Sequence, residues 1–317
     1  MIDPWNMLKI MAAPGPPVVD GYIISPETKL LVSVSGGKDS TCAWALGENL
    51  FRNEVVPVFC NTGHEAKATY AYLEYLQVRM QSRLRYLERK MESFREDDWR
   101  EVQAEDLAQD TMQKLGLLKK RFPSSMARFC TTLLKLEPLK WWLDSQPDKQ
   151  NYVMITGLRA EESPSRAKAT PYLEIDEFYG IPRWHIIFHW TKELVFAGHT
   201  YFGVKPNPLY LEGFTRVGCF PCIFARKAEL ALLSRRYPDA MDRVEEYENL
   251  IGRSFFGPGK IPDRYCSGSD PKNGRPFPYI RDVERWALGE APESPPSLVE
   301  LEDLGAPVCT SQYGLCG

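Results

Sequence analysis

No apolar run in this 317-residue chain approaches the roughly 20 residues of a membrane-spanning helix. The opening stretch 1–21 carries Asp3 and a Pro-rich patch at Pro14–Pro17 instead of the apolar core of a cleavable leader. These two absences lead to the expectation of a cytoplasmic protein without a membrane partner. An excess of one charge is also lacking: 39 Lys and Arg stand against 42 Asp and Glu, a net −3 that exerts no global pull on nucleic acid. A local basic groove is not excluded. Histidine is scarce, with four in all. His185 and His189 would share one face of a strand, but no third ligand stands near, so they read as ordinary histidines. No internal repeat is present.

What the chain does have is a core-sized apolar fraction of 44% and eight cysteines. Without a secretory leader, such cysteines point to metal or redox chemistry before a disulfide framework. Cys42 sits in an expected helix and Cys60 ends an apolar strand, so both read as core thiols. Cys130, Cys219, Cys222, Cys266, Cys309 and Cys316 lie in polar or Gly/Pro-containing surroundings and need another account.

The organising stretch is Leu30 to Ser40: an apolar strand, then Ser35-Gly36-Gly37-Lys38-Asp39-Ser40, then a helix-compatible run to Leu50. Paired glycines let backbone approach a ligand closely, and a helix N-terminus favours phosphate. Lys38 adds a point charge, and Ser35 and Ser40 add hydroxyls. The spacer of a Walker A loop is missing. A second strand, Val55–Cys60, delivers Asn61 to Glu65, including Thr62 and Gly63, to the same carboxyl edge. A third, Tyr152–Thr156, delivers Gly157, Arg159 and Arg166; ligands of open α/β sheets bind there, and arginine forks suit phosphate or sulfate. Between them, Tyr70, Leu73, Leu76, Met80, Leu84 and Leu87 recur at helical spacing, so 66–120 is expected to be helical. The cluster Arg79, Arg83, Arg85, Arg89 and Lys90 reads as a solvated helical face. Cys219-x-x-Cys222, on a Gly218/Pro221 turn, can bind one metal centre, and is open among redox pair, zinc knuckle and iron–sulfur cluster.

Four motifs in order resemble the phosphoadenylyl-sulfate/adenylyl-sulfate reductase family of the PP-loop superfamily: Ser35–Ser40, Cys130 to Leu139 with Glu137-Pro138-Leu139, Thr156-Gly157-x-Arg159 through Arg166, and Asn207 to Cys222. The family's second helix cysteine is replaced by Thr131, and its tail cysteine by Tyr313. The resemblance implies a doubly wound, mainly parallel five-stranded α/β sheet with helices on both faces. It divides the chain into an N-terminal extension 1–25, a nucleotide-binding domain 26–225 with a helical insertion near 77–122, and a helical and irregular C-terminal extension 226–317 with a Cys-containing tail. It implies an adenine nucleotide at Ser35, Gly36, Gly37, Lys38, Asp39, Ser40, Thr62, Gly63, Gly157, Arg159 and Arg166. A 4Fe-4S cluster, or zinc, would sit on Cys130, Cys219 and Cys222; these leave one position open, for which Cys266 is the best candidate, the alternative being three protein ligands and one exchangeable iron site.

Two enzymatic expectations follow. In the first, Cys316 or Cys309 attacks the sulfur of adenylyl sulfate or phosphoadenylyl sulfate, Lys38 assists, and thioredoxin or glutathione resolves the product to sulfite. In the second, the complete Lys38-Asp39-Ser40 loop cleaves ATP with Mg²⁺ to AMP and pyrophosphate, and a nucleic acid receives sulfur. By extent of match the first leads. A non-catalytic nucleotide- or nucleic-acid-binding module using the Arg79–Lys90 face is the third.

Overall fold

In the computed structural model, described for residues 15–19, 21–91 and 98–289, one seven-stranded sheet organises the chain. Its strands are β1 (Lys29–Val34), β2 (Glu54–Cys60), β3 (Arg85–Arg89), β4 (Trp99–Val102), β5 (Tyr152–Thr156), β6 (Tyr172–Leu173) and β7 (Arg183–His185), in the order β4-β3-β2-β1-β5-β7-β6. The inner five run parallel, as expected, and β4 and β6 add antiparallel edges. Leu30, Val32, Leu31 and Ile155 are wholly buried. Near-continuous apolar runs of this kind mark strands covered on both faces.

Helix α1 (Lys38–Leu50) follows β1 directly and packs against α5 (Lys192–Tyr201). Trp44, Trp190 and Cys42 are buried between them and the sheet. On the opposite face, α4 (Glu137–Asp144) buries Leu139, Trp142 and Leu143 with Cys60. Both inner cysteines are thus core thiols. Helix α4 is entered through a helical turn Phe129–Thr131 and a π-helical stretch Thr132–Leu136.

The helical expectation for 66–120 is corrected. Helix α2 (Lys67–Met80) stops where Gln81 turns left-handed, with φ of 53°. Residues 85–89 then pair with β2 on one side and β4 on the other. A buried sheet position outweighs the spacing of Leu84 and Leu87: Leu87 is buried within the strand and Leu84 just before it. The insertion near 77–122 therefore contributes two strands, and among the described residues its second half holds a short 3-10 turn, Ala104–Asp106, and one α-helix, α3 (Thr111–Lys119). Arg85 and Arg89 leave the proposed basic face: Arg89 is buried and bonds Glu137 at 2.5 Å. The strand expected to carry both His185 and His189 ends at His185, so the two do not share it.

A second core gathers α6 (Pro208–Leu211), α7 (Lys227–Arg236), α8 (Pro238–Ile251) and α9 (Ile280–Gly289) around Leu230, Met241, Val244, Phe256 and Val283. It carries the Cys219–Cys222 turn against the carboxyl edge of the sheet.

Candidate functional site

The loop after β1 is shaped by its own side chains. Ser35 N–H donates to Ser40 Oγ at 3.1 Å, and Gly37 N–H donates to Ser35 Oγ at 3.3 Å. Gly36 has φ of +74°, and a Cβ there would stand 2.8 Å from Thr69 Cγ2. Asn207 Nδ2 donates to Gly36 O, the Lys38 N–H donates to Tyr210 Oη at 3.0 Å, and His199 Nε2 lies 2.8 Å from Lys38 O. The Asn207–Tyr210 run, quoted in the sequence only for its likeness, thus supports the loop from outside.

Asp39 is the loop's carboxylate, with 17% of its side chain exposed. Lys38 Nζ donates to its Oδ2 at 3.0 Å and Arg159 Nε to its Oδ1 at 2.7 Å. Burial works against the charged carboxylate, but Lys38 and Arg159 outweigh it and hold its pKa below the ordinary value. Burial likewise opposes the Lys38 ammonium, and Asp39 and Tyr210 more than restore it. Arg159 also pairs with Glu161, and Arg166 with Glu162. Both arginines are buried. Gly157 backs the loop so closely that a Cβ would stand 2.5 Å from the Asp39 carbonyl carbon.

A thiol cavity of about 70 Å³ adjoins this crevice, lined by Cys130, Cys219, Cys222, Thr62, Arg128, Lys135 and Arg216 among others. Its link to the nucleotide edge is physical. Glu65 and Cys219 form an antiparallel bridge, Phe220 N–H donates to His64 O at 2.7 Å, and His64 Nε2 lies 3.0 Å from Pro221 O. Thr62 Oγ1 donates to Glu65 at 2.6 Å and stands 3.9 Å from Cys219 Sγ. Arg243 Nη2 donates to Phe220 O at 2.7 Å. Burial, with Cys222 adding, pushes the Cys130 thiol up to about 11. Burial pushes Cys219 up to about 12, against the pull of Lys135. Burial opposes the Lys135 ammonium in turn, but Cys219, Glu65 and the other thiols outweigh it. Glu65, Lys135 and Arg243 have no spacing signal in the sequence; only the fold assembles them.

Among the described residues no three His, Cys, Asp or Glu side chains are gathered tightly enough to hold a metal ion. Cys130, Cys219 and Cys222 nevertheless line one cavity, and thiolates are soft donors by chemistry. Cys266 is not brought to them: its Sγ lies 4.0 Å from Pro262 O, packed against the helical core. Cys309 and Cys316 lie outside the described residues. His185 is a buried side chain 2.5 Å from Thr156 Oγ1.

Strand, glycine loop and helix at the carboxyl edge of a mainly parallel sheet define an adenine-nucleotide-binding α/β fold of the PP-loop class. More specifically, the chain belongs to the phosphoadenosine phosphosulfate reductase domain family, whose model matches residues 29–225. It is 34% identical over 308 residues to a 37.8 kDa protein of Escherichia phage 186, covering 86% of this chain and 89% of that one. Over 93 residues it is 37% identical to the adenosine 5'-phosphosulfate reductase of Allochromatium vinosum, 29% of this chain and 34% of that one. A Candida auris phosphoadenylyl-sulfate reductase structure covers 60% of the chain and is covered to 80%, at 18% identity and a TM-score of 0.43. That looser likeness carries no argument about ligands. No helix among the described residues is long and apolar enough to cross a membrane.

Proposed function

We propose that the chain is an ATP-dependent sulfurtransferase: it adenylates an acceptor at the Ser35–Ser40 loop and handles sulfur at the Cys130/Cys219/Cys222 cavity. The observation that carries this reading is Asp39, a largely enclosed carboxylate inside the phosphate loop, bonded to Lys38 and Arg159. A bare sulfate or phosphate ester would meet that carboxylate as repulsion. A triphosphate arrives with Mg²⁺, which offsets phosphate charge, and Asp39 is a hard oxygen ligand that would help to hold that ion. Arg159 and Arg166, the forks that would take a sulfate, already face Asp39, Glu161 and Glu162.

In this reading the Lys38 ammonium and the backbone N–H groups of Asp39 and Ser40 at the start of α1 hold phosphate oxygens. An acceptor oxygen attacks the α-phosphorus, and the bond to pyrophosphate breaks. Persulfide sulfur from a donor then displaces AMP from the acceptor, and a second thiol reduces the remaining sulfur–sulfur bond. Cys130, Cys219 and Cys222 would hold the metal or iron–sulfur centre, which would supply a binding position for sulfur beside the activated acceptor. The 3.9 Å contact of Thr62 with Cys219 keeps the two halves of the chemistry adjacent.

The rival is thiol-dependent reduction of adenylyl sulfate or phosphoadenylyl sulfate to sulfite, with thioredoxin or glutathione as reductant. The 93-residue likeness to an adenosine 5'-phosphosulfate reductase favours it. Assaying both products separates them. Pyrophosphate from ATP in the presence of an acceptor supports the transferase; sulfite from adenylyl sulfate with no pyrophosphate from ATP reverses the conclusion.

A further inference from the structure

Beyond residue 225, where the family match ends, the chain builds a second concavity. Residues Ile223–Lys227, the loop Phe255–Lys260 after α8, and Trp286 on α9 enclose a groove of about 490 Å³, rimmed by Pro123–Ser125. That volume falls within the roughly 300–1,000 Å³ of ordinary ligand sites. Three features decide what it suits. First, every charged residue lining it is a cation: Arg226, Lys227 and Lys260. In a chain of net charge −3 this is a local bias, and it calls for an anionic ligand. Second, the cations are interleaved with rings. Lys227 Nζ sits 4.8 Å over the Trp286 ring and Lys260 Nζ 4.9 Å over the Phe256 ring. Lys260 also donates to Ala225 O at 2.5 Å, tying the Phe255–Lys260 loop to the segment that follows Cys222. Third, Ile223, Phe224 and Ala225 line both this groove and the thiol cavity. Arg128, Lys135 and Arg216 line that cavity with one lining carboxylate, Glu229, and Glu65 acts on Lys135 as well. Glu229 is already bonded to the Thr215 hydroxyl and the Arg226 N–H.

We propose that the groove binds a single-stranded nucleic acid, with phosphates against Arg226 and Lys227 and a base against Trp286 and Phe224, so that the neighbouring nucleotide is presented at the mouth of the thiol cavity as sulfur acceptor. Placing an acceptor there rests on the sulfurtransferase reading; binding in the groove does not. A small inorganic anion would leave the aromatic walls unused. A duplex keeps its bases stacked on one another, whereas an unpaired strand offers both charge and a base face.

The test uses the full chain and a labelled single-stranded oligonucleotide of about 12 residues, as DNA and as RNA, followed by fluorescence anisotropy across a salt series. Binding should weaken steeply with salt. Lys227→Glu should weaken it at least about tenfold and reduce the slope of log affinity against log salt by about 0.7, one phosphate contact. Trp286→Ala should weaken it with the slope kept, because stacking is not an ionic contact. Gly257→Glu guards against misfolding: a Cβ at this groove residue meets nothing within 4 Å, so the new side chain starts into open space at the groove. It too should weaken binding. The proposal is overturned if the oligonucleotide fails to bind at low salt, if all three variants bind like the wild type, or if AMP competes as well as the strand. Groove-dependent binding without any pyrophosphate release from ATP would leave the groove standing and remove the sulfurtransferase.

Discussion

Thr62 Oγ1 stands 3.9 Å from Cys219 Sγ, while the same hydroxyl donates to Glu65 at 2.6 Å. One residue of the loop after β2 therefore touches both the nucleotide edge of the sheet and the wall of the thiol cavity. The bridge between Glu65 and Cys219 fixes that contact in backbone as well as side chain. A substrate activated at the phosphate loop would meet sulfur without travelling, which is what a two-step transfer needs.

Gly157 gives the sharpest test of the loop's shape. A methyl group there would press to 2.5 Å from the Asp39 carbonyl carbon and 2.7 Å from Ser40 N, backbone atoms that cannot rotate away. Gly157→Ala should push the start of α1 outward and weaken adenine-nucleotide binding by about tenfold or more, the scale of a misplaced positioning group. Equilibrium titration with ATP checks this. Unchanged affinity would mean that the loop is not the nucleotide site.

His185 gives a pH prediction. It is fully buried, and burial, with Arg183 and Arg166 adding, drives its pKa from 6.5 down to about 3. The folded chain keeps the imidazole neutral while the unfolded chain takes up a proton below 6.5. Its contribution is therefore present above pH 6.5 and is lost progressively as pH falls toward 3. At about 1.4 kcal/mol per unit, the loss between pH 7 and 5 is about 2 kcal/mol. His185→Gln should flatten the pH dependence of the urea midpoint by that amount. An equal slope in the variant would show that the histidine is not held neutral.

Strand, loop and motif were legible where local chemistry dictates local structure. Leu30–Ser40 reads as strand, glycine turn and helix start because apolar run, paired glycines and Lys38 each require it. The same holds for Tyr152–Arg159. What was illegible depended on partners distant in sequence. Arg85–Arg89 looks helical alone and becomes a strand because β2 and β4 lie on either side of it. Glu65, Lys135 and Arg243 converge on the thiols from three separate elements. Cys266 looked like a fourth ligand by elimination, yet the chain after α8 folds it against Pro262 instead.

The cysteines divide accordingly. Cys130→Ser, Cys219→Ser and Cys222→Ser should each lose the iron or zinc of anaerobically purified protein, since each removes one donor from a shared cavity. Cys266→Ser should retain it. A Cys309→Ser/Cys316→Ser double variant should retain both metal and pyrophosphate release; if it instead abolished sulfite formation from adenylyl sulfate, the tail thiols would be nucleophiles and the reductase reading would prevail. Metal analysis with the two product assays reads all five proteins.

Asp39→Asn separates the two chemistries most directly. Asparagine keeps the size of the side chain, and its one amide oxygen can still accept from Arg159, but its Nδ2 is a donor and no longer accepts from Lys38, a loss of about 1–3 kcal/mol. The wild-type carboxyl is held below 3.8, so its pairing is intact at any pH above that value and is lost only as pH falls below it. An assay near neutrality therefore compares a full negative charge with none. For an enzyme that takes ATP with Mg²⁺, the charge is a metal ligand, and pyrophosphate release should fall by about 100-fold or more. For an enzyme that takes adenylyl sulfate as a bare anion, removing the same charge relieves a repulsion and frees Arg159, so affinity should hold or rise. Measuring pyrophosphate release and adenylyl-sulfate affinity on one preparation gives opposite signs for the two mechanisms. A variant that releases pyrophosphate at the wild-type rate removes Asp39, and with it the ATP reading, from the chemistry.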